Sequence, residues 1–336
     1  MKILILGGAR FIGPHVIRHL VGEGHEVTMF NRGKQPFEPP AVVKRILGDR
    51  SFLPSFRQQF GKLHLDVVLD MCAYAPEDAR LAVSTFQGIA NRMVVISTSE
   101  VYRAHDRFFN VISGDLEAVP LTESAALCDL LNPDPSKQDD GLRRGYRYDK
   151  IAVERIVLNE TILPGTILRL AAIYGPGDFR HRLFEFVKRM DDHRPAILMD
   201  KRQAEWRWTW DYVENTAAAI GAAIVNPRAA KQVYNIGESE TLSFAERVRK
   251  IGQAAGWDGK LVLLDQCDLP EHLRQEQPID FGQDLMLDAC KIRNELGFKE
   301  KVSTEEALIR AVDWERQHPP ETVSEKEFNY PAEDKY

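Results

Sequence analysis

The sequence predicts an α/β fold, a doubly wound parallel sheet, on three observations. Short apolar runs alternate with helical stretches from residue 2 onward. Those runs are apolar throughout rather than at every second position, as strands covered on both faces are. The links between the segments are short, so each strand is followed by a helix that returns the chain for a parallel neighbour. With 336 residues, 44% of them hydrophobic, the chain suffices for about two domains, or one large α/β domain with a smaller appended lobe.

The first strand, Lys2 to Leu6, runs into Gly7, Gly8 and Gly13, and a helical pattern follows in Phe11, Ile12, Val16, Ile17 and Leu20. Strand, glycine turn and helix in that order form a cradle for a pyrophosphate: glycines let the backbone approach, and the helix N-terminus offers free N–H groups and a positive dipole end. Gly7, Gly8, Arg10, Phe11, Ile12 and Gly13 are the candidate contacts. The spacing is Gly7-x-x-Arg10-x-x-Gly13, with arginine at the centre. Gly22-Glu23-Gly24 stops the helix, and His25 to Phe30 is a second strand. Its tip reads Asn31-Arg32-Gly33-Lys34, with no carboxylate. An acidic residue there would hydrogen-bond the ribose 2′-hydroxyl of NAD, whereas arginine accommodates the 2′-phosphate of NADP. Arg32 and Arg10 are expected to clamp that phosphate, which places NADP ahead of NAD; the alternative is that Arg32 and Lys34 are solvated loop charges. A short strand (Val42 to Leu47), the turn Gly48-Asp49-Arg50 and a helix capped by Ser51 come next. Asp66 to Met71 is a fourth strand, whose exit through Cys72, Ala73 and Tyr74 runs beside the cofactor. Pro76 opens a helix to Gly88, and Met93 to Ile96 is the fifth strand.

That strand ends in Ser97-Thr98-Ser99-Glu100-Val101-Tyr102, at the carboxyl edge of the sheet, where ligands bind in this architecture. Tyr146 and Lys150 follow as a Y-x-x-x-K, four apart and so on one helix face; Tyr148 points elsewhere. A hydride leaves a carbinol carbon only if the hydroxyl proton is removed, and a tyrosine with a pKa near ~10 is a poor base at neutral pH. A neighbouring ammonium favours the phenolate. Tyr146 is the acid/base candidate, Lys150 its tuner, and Thr98 the holder of the substrate oxygen.

These motifs together resemble the extended short-chain dehydrogenase/reductase family, the NAD-dependent epimerase/dehydratase group. Its G-x-x-G-x-x-G turn is matched apart from Arg10, and I-S-T-S-E-V-Y resembles its I-S-T-D-E-V-Y strand end. Leu168-Arg169-Leu170 through Tyr174-Gly175-Pro176-Gly177-Asp178, Tyr212-Val213-Glu214-Asn215, Tyr234-Asn235-Ile236-Gly237 and Asp288 through Phe298 also match, so the resemblance spans the chain to about residue 315. It implies a Rossmann-type sheet with a smaller, discontinuous C-terminal substrate lobe, adenine contact at Asp49, further cofactor contacts at Asn31, Arg50, Ala73, Ser97 and Lys150, and catalysis by Thr98, Tyr146 and Lys150. The family's habit of pairing through helices near residues 76–88 and 148–160 implies a homodimer.

Three departures narrow the expectation. Where sugar-nucleotide 4,6-dehydratases carry an Asp acid and a Glu base, this chain has Ser99 and Glu100: a base is present and the acid is not. The asparagine that nucleotide-sugar members place before Y-G-P is Ala172, which removes a diphosphate contact from a nucleotide-sugar substrate. The segment between Thr98 and Tyr146 is longer than usual, and its polar, proline-rich stretch Asn132 to Gly141 is either a surface loop or a cover for the substrate. The G-x-x-R-F-I-G turn also resembles that of chloroplast stem-loop-binding proteins, so the rival reading is RNA binding with a vestigial dinucleotide site.

The domains expected are 1–174 plus 205–238 for the sheet, 175–204 plus 239–316 for the substrate lobe, and 317–336 as a charged tail. Tyr74, Arg180 and Arg207 are the substrate candidates, for a small sugar-like or carbonyl compound or a nucleotide sugar. Trp206, Trp208 and Trp210 alternate with polar residues, as on a strand with one aromatic face, and core packing is their expected role ahead of a sugar-stacking floor. A net charge of −6 with no basic block points away from nucleic acid and anionic membranes. No apolar run approaches ~18 residues. His15 and His19 read as an ordinary helix face, and no metal is expected. The four cysteines are scattered and read as reduced thiols in a cytoplasmic protein.

Overall fold

The structure is a computed structural model, and it describes residues 1–128 and 149–336. Its elements in order are β1 (Lys2–Leu6), α1 (Ile12–Gly22), β2 (Glu26–Asn31), β3 (Lys44–Leu47), α2 (Arg57–Gly61), β4 (Leu65–Asp70), α3 (Pro76–Phe86), β5 (Ala90–Thr98) and α4 (Arg103–Phe108). There follow α5 (Lys150–Asn159), β6 (Gly165–Leu170), β7 (Ala172–Tyr174), α6 (Phe184–Asp191), β8 (Ala196–Asp200), α7 (Lys201–Glu205), β9 (Trp210–Tyr212) and α8 (Val213–Val225). The chain closes with β10 (Val233–Ile236), α9 (Phe244–Ala255), β11 (Lys260–Leu264), α10 (Cys290–Leu296), α11 (Thr304–Gln317) and α12 (Tyr330–Glu333).

Seven strands form one parallel sheet in the order β10-β6-β5-β4-β1-β2-β3. Side chains of β1 divide between its two faces, as the two-residue period of a strand requires. Ile3 and Ile5 pack with Val16, Ile17 and Leu20 of α1, while Leu4 and Leu6 pack with Phe30, Phe60 and Phe86 on the other side. Both faces are therefore core, and the unbroken apolar run of β1 follows from that. The chain reverses its winding at β1, between β2 on one side and β4 on the other, so the glycine turn after β1 lies at the switch point of the sheet. The smaller pairs β11-β8 and β7-β9 lie outside this sheet.

Gly13 shows why the turn needs its glycines. A Cβ there would lie 2.3 Å from the carbonyl oxygen of Gly8, and backbone cannot retreat from that contact. Gly13→Ala is expected to lower stability by about 1–3 kcal/mol, the usual range for overpacking, together with loss of dinucleotide binding. Thermal melting with and without the dinucleotide checks both; an unchanged melting temperature would overturn the reading.

Some local features differ from the sequence reading. The turn after β3 leads into a 3-10 segment, Arg50–Phe56, and its cap is Asp49 rather than Ser51: the carboxylate accepts from the Ser51 N–H at 3.0 Å and hydroxyl at 2.8 Å. The three tryptophans do not share one regular strand, because β9 begins only at Trp210. They pile on one another, with Trp206 stacked on Phe108 at 4.6 Å, and Trp206 and Trp210 are buried. The tail from 317 is charged but docked. Glu333 is buried against Arg189 at 2.9 Å and His272 at 3.0 Å, and Phe328 lies under the Arg189 guanidinium. Within the long segment after Thr98, Phe108 packs on the lobe and Leu121 donates to the Met286 carbonyl at 2.6 Å. Asn132 to Gly141 lies outside the described residues.

Candidate active site

The glycine turn is pinned to the sheet by the Gly7 N–H, which donates to the Phe30 carbonyl at 2.9 Å. Phe11 ends the turn at φ 41°, and α1 begins with no side-chain cap and no acidic residue in its first turn. At the helix start the Gly13 N–H donates to the Arg10 carbonyl at 3.0 Å, and Pro14 carries no N–H.

At the β2 tip, the Asn31 side-chain oxygen accepts from the Gly33 N–H at 3.0 Å and from Arg45 Nε at 3.2 Å. Asn31 Nδ2 and Arg45 Nη2 are buried donors without a partner, so this corner is built to donate. Arg32 and Lys34 are exposed beside it. They assist the Ser51 N–H and hydroxyl, the stronger influences, in holding the Asp49 carboxyl below its ordinary range. Sequence reasoning missed Arg45, which reaches Asn31 only because β3 pairs with β2.

The turn's central arginine lies elsewhere. The Arg10 guanidinium stacks on Phe179, 5.1 Å from the ring centre, and Phe11 meets the same ring edge-on. Phe179 belongs to the loop after Tyr174-Gly175-Pro176-Gly177-Asp178. His15 of α1 hydrogen-bonds the Pro176 carbonyl at 3.0 Å, and buried Asp178 accepts from the Arg180 N–H and the Arg182 side chain. The clamp of Arg10 with Arg32 is therefore not what the structure assembles: each arginine is placed with different neighbours.

The candidate reaction end lies at the carboxyl edge of β4 and β5. Lys150 opens α5, where Asp149 caps the helix by accepting from the Ala152 N–H at 2.9 Å. The ammonium is buried (5% exposed), donates to the Ile96 carbonyl at 2.7 Å and lies 4.9 Å above the Tyr74 ring. Burial pushes its pKa down to about 8, against the opposing pull of Asp70 and Cys72. Tyr74 is half exposed, Ala73 is buried behind it, and the Tyr74 carbonyl accepts from the Asp149 N–H at 2.8 Å.

Thr98 ends β5 half-buried. Its Oγ1 accepts from the Glu100 N–H at 3.3 Å, which leaves its own hydroxyl proton to donate. Glu100 is exposed and Ser99 is buried. Ser97 faces the opposite way and donates to buried Glu154. That hydroxyl is bonded within the core. The Arg50 guanidinium forms a paired contact with Asp70 at 3.0 and 2.9 Å and a further one with Asp78, tying β4 to α3. Beneath the turn, burial and Asp70 push the Cys72 thiol up to about 12, so it is inert. Arg207 is tied to the Thr241 carbonyl at 2.9 Å, whereas Arg180 is exposed on the Phe179 loop. Tyr146 lies outside the described residues. Among the described residues, no group of three or more metal-ligating side chains occurs, and no helix is long and apolar enough to cross a membrane.

Known proteins resemble this chain in sequence and in fold. The model of the NAD dependent epimerase/dehydratase family matches residues 3–237. A UDP-N-acetyl-alpha-D-glucosaminuronate decarboxylase of Bacillus cytotoxicus is 25% identical over 343 residues, covering 94% of this chain and 98% of that one. A chloroplast stem-loop binding protein of Arabidopsis thaliana is 26% identical over 265 residues, 76% of this chain and 64% of its own length. Among solved structures, a UDP-glucuronic acid 4-epimerase from Bacillus cereus, in complex with UDP-glucuronic acid and NAD, superposes with a TM-score of 0.65 at 18% identity. It covers 94% of this chain and 99% of its own.

Proposed function

This chain belongs to the NAD dependent epimerase/dehydratase family, and on that premise we propose that it is an NADP-preferring oxidoreductase moving a hydride at a carbinol or carbonyl carbon, with Tyr146 as acid/base. The observation that carries the reading is Lys150: a buried ammonium held between the Ile96 carbonyl and the Tyr74 ring, beside the end of β5 that presents Thr98. A buried cation is costly unless it has work to do, and four residues before it the chain carries the tyrosine whose phenolate it would favour.

The residues fit a dinucleotide. The uncapped N-terminus of α1 would take the pyrophosphate, Asp49 the adenine side, and Asn31, Arg32 and Arg45 the 2′-phosphate, where the two unpartnered donors stand. The bound nicotinamide supplies the hydride acceptor or donor. Thr98 donates to the substrate oxygen, Tyr146 takes or returns its proton, and Lys150 lowers the cost of the phenolate. With Ser99 buried where an acid would be required, oxidation, reduction or epimerisation is favoured over 4,6-dehydration. The relatives' names support a nucleotide sugar as the substrate class, alongside a small carbonyl compound. We place the enzyme in the cytoplasm, as a homodimer through α3 and α5.

Titration with NADPH and NADH tests the cofactor, and Tyr146→Phe tests the chemistry. NADPH is expected to bind at least tenfold more tightly, with the preference lost in Arg32→Ala. Tyr146→Phe is expected to cut kcat by roughly 10²–10⁴ at unchanged cofactor affinity. Salt-sensitive RNA binding without dinucleotide binding would instead favour the stem-loop-binding reading.

A further inference from the structure

The central arginine of the glycine turn has no place in the chemistry described so far. Its guanidinium is exposed, is held on one face by Phe179, and makes no hydrogen bond or ion pair among the described residues. Stacking fixes the plane of a guanidinium and leaves its in-plane donors directed outward, the geometry that pairs with a phosphate or carboxylate.

The sheet order and the ring contact together say which half of the cleft this donor serves. β2 and β3 lie on one side of β1 and carry the adenosine corner; β4 and β5 lie on the other and carry Tyr74, Thr98 and, against β5, Lys150. Arg10 stands in the turn after β1, between the two groups, and its ring contact ties it to the loop after β7, through Phe179. Its charge is among those opposing the burial that raises the Tyr74 phenol, whereas the charges acting on Asp49 at the adenosine corner are Arg32 and Lys34. Phe179, its stacking partner, arrives from the substrate side of the chain and is 58% exposed. The loop that presents it is fixed by Asp178 and by the His15–Pro176 bond, so the platform is built rather than incidental. Arg180, also exposed, follows Phe179 directly.

We infer that Arg10, seated on Phe179, is an anion-binding residue on the substrate side of the cleft, receiving a phosphate or carboxylate group carried by the substrate. This rests on the dinucleotide reading above and adds to it the residue that receives an anionic group of the substrate.

The test uses the full chain saturated with NADP⁺ and inorganic phosphate as the probe, followed by calorimetry. NADP⁺ binding to the wild type is measured first, so that failure of the cofactor reading shows by itself. Wild-type protein is expected to bind phosphate, and Arg10→Gln to weaken that binding at least tenfold while NADP⁺ affinity stays within twofold. Arg10→Lys is expected to fall between, because it keeps the charge and loses the planar fork. Phe179→Ala is expected to weaken phosphate binding several-fold through loss of the platform. A tenfold loss of NADP⁺ affinity in Arg10→Gln would overturn the inference by making Arg10 a cofactor ligand. So would phosphate binding that is absent in the wild type or unchanged in the variant.

Discussion

Lys150→Met is expected to abolish most turnover, roughly 10²–10⁴-fold in kcat, while leaving the melting temperature unchanged or raised. The two halves of that outcome have one cause. The Lys150 ammonium is buried, and burial pushes its pKa down to about 8 from an ordinary value of 10.5. Below pH 8 the group is charged in the folded and unfolded states alike, and the folded state bears the cost of desolvating it. Between pH 8 and 10.5 the folded protein binds fewer protons than the unfolded chain, so stability rises with pH across that window. Replacing the cation by an apolar chain of similar length removes that desolvation cost, offset in part by the hydrogen bond lost at the Ile96 carbonyl. Activity runs the other way. In the proposed mechanism the positive charge favours a phenolate at Tyr146, so the rate is expected to fall as pH rises through about 8 and Lys150 loses its proton. Lys150→Met is expected to show a low rate without that limb. Paired melting curves and kcat profiles from pH 6 to 10 check this. A variant that loses stability and activity together, with the wild-type pH profile retained, would make Lys150 a structural residue.

Much of this site is legible in the sequence because its parts are local. The glycine turn, the strand before it and the helix after it are contiguous, and alternation of strand with helix from residue 2 fixes a parallel sheet. The lysine four residues after Tyr146 needs no knowledge of the fold. What stays illegible depends on contacts between distant segments. Arg45 reaches Asn31 through the pairing of β3 with β2. Arg10 meets Phe179 across 169 positions of chain, so from the sequence its reach toward the 2′-phosphate and its reach toward the substrate look the same. Ser97 and Thr98 are adjacent hydroxyls on opposite faces of one strand, and nothing local says which face is buried. The tail shows the same limit: Glu333 looks like one more surface charge until Arg189, 144 positions earlier, is brought against it.

Arg169→Met is expected to cost about 3–5 kcal/mol, the loss typical of breaking one partner out of a buried ion pair. Arg169 and Glu154 are both buried, joined by Nε and Nη2 contacts of 3.1 and 2.7 Å. Arg169 Nη1 also donates to the Tyr102 hydroxyl at 3.0 Å and to the Glu123 carbonyl at 2.9 Å, and Tyr102 passes its proton bond to Asn235 at 2.6 Å. Removing the guanidinium leaves the Glu154 carboxylate in the core with the Ser97 hydroxyl and the more distant Lys150 charge, and the loss of its paired partner carries most of the cost. The double variant Arg169→Met/Glu154→Met is therefore expected to recover more than half of the loss, since neither charge of the pair then remains. Urea denaturation midpoints of the wild type, the two single variants and the double variant give the coupling directly. The network also bears on catalysis. Glu154 lies one turn along α5 from Lys150, and Ser97 precedes Thr98 on β5 in register with Arg169. It fixes α5 against the strand end, and hence the ammonium relative to the Thr98 hydroxyl proposed to hold the substrate oxygen. The double variant, though folded, is accordingly expected to lose kcat more than it gains in KM. Midpoints that simply add across the cycle, with kcat intact, would show that Glu154 and Arg169 act independently and that α5 is positioned by its apolar face alone.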